Sequence, residues 1–319
     1  MGWFIAFLVL LGVPFGLELR RTRVDDKLRA DTMSAGQFVK LAKGVTHYRL
    51  DGPTGGPVIV AIHGLTTPSY IWSAITPLLT RAGYCVLSYD LFGRGLSDRA
   101  SGAQDETFFV TQLHGLLEAL EIRTPVVLLG YSLGGMIAVD FAAKYPSRAR
   151  AVVLLCPAGL GYVASTFEAF ITRTPILGDW LMRLTFETRM RRALAEQSDG
   201  QVSGIQKAKA VELTRRGFCD AVLSAQRHML TRDQSEAHRQ LQKRGVPVGA
   251  LWAELDTVIP LQAMGRLAQI NREATQEMVE LASHNLPHTH AQEVAQMVHD
   301  VITRSQRKRS EHAPEVDEI

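Results

Sequence analysis

Residues 125–143 read PVVLLGYSLGGMIAVDFAA, and the expected architecture rests on them. The apolar run at residues 125–129 has the length and β-branched content of a buried strand, whereas the alanine-rich run at the end is typical of a buried helix. Between them lies the pattern G-x-S-x-G, which marks a nucleophilic serine when it stands on a sharp turn from strand to helix. Glycines are required because side chains on so tight a turn would collide with it. Ser132 is therefore the candidate nucleophile.

Size, charge and cysteine content set broad limits on the class of protein. A chain of 319 residues accommodates one large α/β domain with an insertion. The net charge of +3 at pH 7 is too small to indicate a nucleic-acid partner, and no basic stripe alternates with aromatic residues. The three cysteines, Cys85, Cys156 and Cys219, have no paired spacing, so neither a disulfide framework nor a metal site is predicted.

Strands and helices alternate along most of the chain. Short apolar runs predict buried strands, and apolar residues at helical spacing predict the helices between them. This alternation predicts a doubly wound, mostly parallel sheet. An edge strand is expected at residues 46–50, after a linker with a short helix at residues 24–44. The other strands are predicted at residues 58–62, 85–89, 125–129, 151–156, 247–253 and 277–281.

The alternation stops after Cys156 and resumes near Pro247. Between these points apolar residues recur at helical spacing and no strong strand occurs, which predicts a helical cap inserted into the sheet. The predicted organisation is a hydrophobic segment at residues 1–23, the two parts of the core at residues 24–158 and 245–304, the cap at residues 159–244, and a disordered tail at residues 305–319.

The amino terminus is unusually apolar. Residues 2–17 carry no charge, and Arg20, Arg21 and Arg23 follow closely. This run is of marginal length for a membrane span, and it lacks the basic start and cleavage site of a secretory signal. The basic flank on its carboxyl-terminal side predicts that residues 1–23 are a membrane anchor, with membrane contact through residues 2–19 and the catalytic domain in the cytoplasm. A cleaved signal and a helix that covers the core are the alternatives.

The order of these elements, with the strand, turn and helix around Ser132, resembles the α/β-hydrolase fold superfamily. The likeness covers about residues 45–304 and is to the branch that holds monoacylglycerol-lipase-like esterases and ring-cleavage hydrolases. The resemblance implies a serine, an acid and a histidine in this order along the chain, and it implies no cofactor. A serine at the turn argues against haloalkane dehalogenases and epoxide hydrolases, which carry aspartate there.

The resemblance places the acid in the loop after the strand that follows the cap. Asp256 lies there, four residues before Pro260, and would hold the orientation of the histidine. Glu254 is the nearby alternative, and an aspartate at this position would also suit the start of a helix.

The histidine is expected in the loop after the last strand, where His284, His288 and His290 lie close together. The position of His284 matches the family's, so we expect His288 and His290 to lie at the surface or at the rim of a pocket. A metal site is not predicted, because no Asp, Glu or Cys lies among the three histidines.

Two backbone N–H groups are expected to stabilise negative charge on a substrate oxygen. Leu133 supplies one at the start of the helix, and the resemblance assigns the other to Leu65. We expect His63 to support this loop through hydrogen bonds, and Asp90 and Arg94 to fix the geometry of a neighbouring turn.

Together these residues predict a serine hydrolase that cleaves carboxylic esters through an acyl-enzyme. The apolar amino terminus favours a lipid-like ester, such as a monoacylglycerol, as the substrate. Hydrolysis of carbon–carbon bonds in ring-cleavage products would use the same side chains and is the alternative activity. A non-catalytic binding protein with this fold is the alternative from another class.

Overall fold

The central sheet positions all the other elements. The computed structural model describes residues 2–32, 36–196, 200–202 and 204–311. Within these ranges the strands are β1 (Gln37–Leu41), β2 (Gly44–Asp51), β3 (Val58–Ile62), β4 (Cys85–Tyr89), β5 (Val126–Tyr131), β6 (Ala149–Leu155), β7 (Val248–Ala253) and β8 (Thr275–Val279). Their order is β1-β2-β4-β3-β5-β6-β7-β8. Because only the pairs made by β2 are antiparallel, the prediction of a mostly parallel sheet is confirmed.

Helices cover both faces of this sheet. Val60 of β3 belongs to one buried apolar cluster and its neighbour Ile59 to another, because successive side chains of a strand point to opposite faces. The predicted doubly wound arrangement is thus confirmed. The described helices are α1 (Gly2–Leu19), α2 (Asp26–Asp31), α3 (Thr76–Arg81), α4 (Glu106–Ala119), α5 (Leu133–Lys144), α6 (Thr166–Arg173), α7 (Leu177–Ala195), α8 (Ile205–Leu213), α9 (Phe218–His228), α10 (Ser235–Lys243), α11 (Gln262–Ile270), α12 (Leu286–Thr289) and α13 (Ala291–Glu311).

Helices α6 to α10 lie between β6 and β7 and form the inserted cap. Most of the cap has an apolar cluster of its own, in which Phe186 of α7 packs against Phe218 of α9 with ring centroids 5.7 Å apart. The end of the cap is different, since Met229 and Leu241 belong to the main core beside α5. The cap is therefore joined to the core mainly through its last two helices.

The region before the sheet contains a strand that the sequence analysis missed. Residues 37–41, which were assigned to a linker, form β1 and pair with β2 through a tight hairpin in which Leu41 lies opposite Gly44. The strand predicted at the edge is therefore the second strand of the sheet, and β1 is the edge. The prediction failed because QFVKL is short and only partly apolar, so its strand conformation depends on pairing with β2.

The carboxyl-terminal helix is longer than expected. It runs to Glu311, so residues 305–311 are helical and the prediction of a disordered tail is wrong for them. Ser305 is buried, and its hydroxyl donates to the carbonyl oxygen of Arg150 at 3.2 Å, which ties this part of the helix to the start of β6. The remainder of the predicted tail lies outside the described residues.

The apolar amino-terminal segment forms helix α1, whose carboxyl-terminal end lies on the cap. The guanidinium of Arg183 in α7 stacks on Phe15 at 4.6 Å, and the backbone N–H of Thr22 donates to the carbonyl oxygen of Thr214. In the described part of the chain, no helix combines the length and apolarity needed to cross a membrane. The membrane contact expected of residues 2–19 stays a prediction.

Candidate active site

Ser132 occupies a strained turn between β5 and α5. Its backbone angles are φ +52° and ψ −115°, a region that non-glycine residues rarely adopt. The turn is held by its backbone: the N–H of Ser132 donates to Leu155, and the carbonyl oxygen of Ser132 accepts from Gly135 and Ala158. Strain that is maintained by surrounding hydrogen bonds is common at functional sites, because it presents a side chain in one direction.

The glycines on either side of Ser132 are required by close backbone contacts. A Cβ on Gly130 would lie 2.4 Å from the carbonyl oxygen of Gly134, and one on Gly134 would lie 2.1 Å from that of Ile62. These contacts bring the turn against the end of β3. As a result, Gly64 lies next to Ser132, since a Cβ on Gly64 would be 3.5 Å from the Cβ of Ser132.

A chain of two hydrogen bonds connects Ser132, His284 and Asp256. His284 Nδ1 lies 2.7 Å from Asp256 Oδ2, and His284 Nε2 lies 3.1 Å from Ser132 Oγ. A carboxylate can only accept, so Nδ1 carries the proton and Nε2 is free to accept from the serine hydroxyl. The structure thus brings together the three side chains that the resemblance selected from distant parts of the chain.

The Asp256 carboxylate is held by backbone donors as well as by His284. Its Oδ1 atom accepts from the N–H groups of Val258 and Ile259, at 2.7 and 2.8 Å. Burial raises the pKa of Asp256, but the hydrogen bonds from His284 and from these N–H groups outweigh it and leave the pKa below its ordinary value. Glu254, the alternative acid, instead accepts from the N–H of Leu281. Asp256 is therefore ionised and oriented.

The loop carrying His284 is fixed by an aromatic neighbour of the nucleophile. The hydroxyl of Tyr131 donates to the carbonyl oxygen of His284 at 2.8 Å, and the two ring centroids lie 5.2 Å apart. Because Tyr131 directly precedes Ser132, one residue of β5 sets the position of both the serine and the imidazole.

Leu133 directly follows Ser132 in the chain, and Leu65 lines the same cavity as Ser132. Leu133 begins α5, so its N–H has no partner within the helix and the helix dipole adds positive potential there. Leu65 follows Gly64, on which an added Cβ would come within 3.5 Å of the Cβ of Ser132. In the described part of the chain neither N–H donates to a protein group. Their role as donors to a substrate oxygen stays a prediction.

His63 stabilises the loop that carries Leu65 through two hydrogen bonds. Its Nδ1–H donates to the carbonyl oxygen of Gly64 at 2.7 Å, and its Nε2 accepts from the N–H of Leu91 at 2.9 Å. Burial lowers the pKa of His63 to about 4, so the ring is neutral, as acceptance at Nε2 requires. This geometry agrees with the supporting role expected for His63.

Arg94 makes a connection that the sequence analysis missed. Its fully buried guanidinium donates to the carbonyl oxygen of Leu65 at 3.1 Å and to that of Ala221 in α9 at 3.1 Å. Arg94 therefore holds both the loop that carries one of the free N–H groups and a helix of the cap. The sequence places Arg94 in a glycine-rich turn but contains no signal for partners so distant along the chain.

Two other residues near His284 lie where the sequence analysis did not place them. His288 is fully buried, so the expectation of a surface or rim position is wrong for it, because the helical turn α12 folds its side chain inward.

Cys156 lies beside the acid: its Sγ, an oxygen of Asp256 and a nitrogen of His284 are within 4.8 Å of one another. Burial and the Asp256 carboxylate raise the pKa of the Cys156 thiol well above its ordinary value, so it is protonated. Such a trio can ligate a metal, but two of its members already pair with each other.

Ser132 and His284 open into a cavity of about 880 Å³ between the core and the cap. The core supplies Leu65, Tyr131 and the loop after β7, including Leu255 and Val258. The cap supplies a mixed wall of apolar and polar side chains: Tyr162, Met190, Leu194, Leu230, Glu168, Lys209 and Gln226. A cavity of this volume can enclose a small organic substrate or part of a longer one.

The strained serine, the hydrogen-bonded histidine and acid, and the two free N–H groups are the parts of a serine hydrolase. Residues 57–291 match the alpha/beta hydrolase fold family, and the chain belongs to that family.

Known relatives of this chain include enzymes of ester hydrolysis. It is 25% identical over 264 residues to the monoacylglycerol lipase ABHD6 of Rattus norvegicus, covering 78% of this chain and 76% of that protein. It is 28% identical over 262 residues to a pimeloyl-(acyl-carrier protein) methyl ester esterase of Methylococcus capsulatus, covering 78% of this chain and 96% of that protein. The fold also superposes on the enol-lactonase of Burkholderia xenovorans with a TM-score of 0.68, at 21% identity over 84% of this chain and all of that one.

Proposed function

We propose that this protein hydrolyses carboxylic esters of lipid-like alcohols or acids through a covalent acyl-enzyme on Ser132. The observation that carries the proposal is the hydrogen-bonded chain from Ser132 through His284 to Asp256 at the base of a cavity. An ionised, oriented acid beside an imidazole whose free nitrogen faces a hydroxyl is the arrangement that activates a serine.

In the first step Ser132 Oγ attacks the ester carbonyl carbon while His284 Nε2 takes its proton. The carbonyl oxygen becomes negatively charged and accepts hydrogen bonds from the N–H groups of Leu65 and Leu133. His284 then protonates the departing alcohol, which leaves the acyl group on Ser132. A water molecule, deprotonated by the same imidazole, repeats the attack and releases the acid.

The lipid-like character of the substrate is inferred from the cap wall and from the relatives. Met190, Leu194 and Leu230 offer apolar surface to an acyl chain. Two relatives are named for the cleavage of an acylglycerol and of a methyl ester, and both cover more than three quarters of this chain. A neutral ester with an extended apolar group fits these features, and membrane association through residues 2–19 would place the enzyme near such substrates.

Labelling with a fluorophosphonate probe tests the proposal directly, because such probes react with activated serines. We expect the wild-type chain to be labelled and the Ser132→Ala variant to lose both labelling and ester hydrolysis, by about a millionfold in kcat, with unchanged thermal stability. A folded wild-type chain that resists labelling would favour a non-catalytic binding protein instead.

The assignment of the base has a matched control in the same loop. We expect His284→Ala to reduce kcat about as much as Ser132→Ala, since the two side chains act as a unit. His290→Ala should have little effect, because His290 bonds to Thr289 and does not contact the serine. The opposite pattern would move the base to another histidine.

A further inference from the structure

The junction of α6 and α7 exposes an unusual amount of apolar surface. We call it the cap corner and define it by Phe170, Ile176 and Leu177, whose exposed fractions are 46%, 85% and 48%. Single exposed apolar residues are common, but a group at one helix junction indicates a contact surface. None of the three lines the active-site cavity, so substrate binding does not account for them.

The conformation of the cap corner is held in place with its apolar side chains outward. Ile176 has φ +66°, which is rare for a β-branched residue. The turn is locked by Arg227, which donates to the carbonyl oxygen of Ile171 and pairs with Asp179, each at 2.9 Å. Asp179 in turn accepts from the N–H of Ile176. Because the side chain of this strained residue faces solvent, burial inside the protein does not offset the strain. The strain therefore points to a partner outside the protein.

Helix α1 extends towards the same corner. Phe15 contacts Arg183 of α7, and Arg21, just beyond α1, pairs with Glu187 one turn further along α7. The two helices therefore run in the same direction, so the earlier turns of α1 lead towards the start of α7 and the cap corner. On these turns Leu11 is exposed, although it belongs to the uncharged run at residues 2–17.

Charge around this surface favours a phospholipid bilayer over a protein as the partner. Exposed arginines follow the apolar residues along the chain in both elements: Arg173 comes after Phe170 at the end of α6, and Arg20 and Arg23 come after α1. Apolar side chains with a basic border match the acyl and anionic headgroup layers of a membrane surface.

We propose that the cap corner enters the bilayer interface beside α1, so that the enzyme docks through its cap. Helix α6 then has two roles, because Glu168 near its start lines the active-site cavity while Phe170 faces the lipid. Docking in this orientation brings the cavity to the membrane surface. That this orientation gives the cavity access to a lipid substrate rests on the proposed ester hydrolysis. The docking itself does not rest on it.

A fluorescent probe at Leu177 tests the docking in the full chain. The native cysteines are buried, so a cysteine introduced by Leu177→Cys can be labelled with an environment-sensitive NBD group. Leu50→Cys is a matched control, since Leu50 is the same residue type, is 45% exposed and lies on β2 of the core. On adding vesicles of equal parts phosphatidylcholine and phosphatidylglycerol, we expect the emission at position 177 to shift to the blue and rise severalfold, with no change at position 50.

Three outcomes would overturn the proposal. The first is that the chain does not float with the vesicles. The second is flotation while position 177 keeps its aqueous emission, which would leave α1 as the sole contact. The third is a response at both positions, which would indicate non-specific adsorption. Fluorescence does not depend on hydrolysis, so none of these results bears on the assignment of Ser132.

A charged variant links the docking to catalysis. Ile176→Glu combined with Leu177→Glu should lower the hydrolysis of a vesicle-borne monoacylglycerol by about tenfold and leave that of a water-soluble short-chain ester unchanged. Equal losses on the two substrates, or no loss on the vesicle-borne one, would contradict the orientation.

Discussion

The two walls of the active-site cavity are built in different ways. The core wall consists of backbone turns packed so closely that Gly130 and Gly134 leave no room for a side chain. The cap wall stands on a smaller apolar cluster and is tied to the core by arginines, such as Arg94 to Ala221 and Arg232 to Asp140.

This difference separates the reaction from the choice of substrate. Positions of the serine, the imidazole and the two N–H groups must be accurate to a fraction of an ångström, which only close backbone packing provides. The cap instead supplies side chains around the substrate and a surface towards solvent. We therefore expect substitutions in the core wall to abolish folding or catalysis, and those in the cap to change rates and stability by degrees.

The largest effect is expected from Gly134→Ala. The added methyl group would lie 2.1 Å from the carbonyl oxygen of Ile62, so either the turn or β3 must move. We expect loss of soluble, folded protein, measured by yield and circular dichroism.

Gly265→Ala provides the control, because Gly265 lies in helix α11 with no atom within 4 Å of the added methyl group. It should raise the free energy of unfolding by up to about 1 kcal/mol through its helix propensity. A Gly134→Ala protein with the melting temperature and activity of the wild type would refute the claim that the core wall cannot accommodate an added methyl group.

An intermediate effect is expected where the two walls meet. Arg94→Met removes the donors to Leu65 and Ala221, so the loop that carries the Leu65 N–H loses its support. We expect kcat to fall by about 10- to 100-fold, somewhat less than the loss caused by removing an oxyanion donor itself.

Arg99 is a suitable comparison because it also connects the core to the cap. It donates to the carbonyl oxygens of Ser97 and Arg216, and its described hydrogen bonds do not include Leu65. Arg99→Met should lower the melting temperature by a similar amount but leave kcat within about threefold of wild type. If both variants lose activity equally, the effect of Arg94 is general stability rather than positioning.

The smallest effect at neutral pH is expected at His238, on the cap helix that joins the main core. The ring is fully buried, and in the described part of the chain neither nitrogen has a hydrogen-bond partner. Burial lowers the pKa of His238 from 6.5 to about 4, so the unfolded chain binds a proton between these values that the folded chain does not. The contribution of the neutral ring to the free energy of unfolding is therefore fully present above pH 6.5 and is lost as the pH falls towards 4.

His238→Leu should therefore remove about 2–3 kcal/mol of the acid-induced fall in the free energy of unfolding. Denaturant titrations across this pH range would measure it. His63 has a similarly lowered pKa and should supply the acid sensitivity that remains. Identical pH profiles for the variant and the wild type would show that His238 does not titrate as described.

The local sequence pattern was sufficient to predict the turn that carries the nucleophile and the alternation of strands and helices. Ser132 could be selected from the sequence because a sharp turn needs glycines at fixed spacing and a parallel sheet needs continuous apolar strands. Both requirements act between residues that are close along the chain. The family resemblance extended this reasoning to Asp256 and His284 through their order in the chain.

Tertiary structure alone decided the features that depend on distant neighbours. Strand β1 forms because β2 pairs with it, His288 is buried because a short helical turn faces inward, and Arg94 reaches Leu65 and the cap across the fold. The cap corner is likewise held by a hydrogen bond from Arg227, which lies on another helix. Hydrogen bonds and burial between segments far apart in sequence leave no periodic signal, which is why these features required the folded chain.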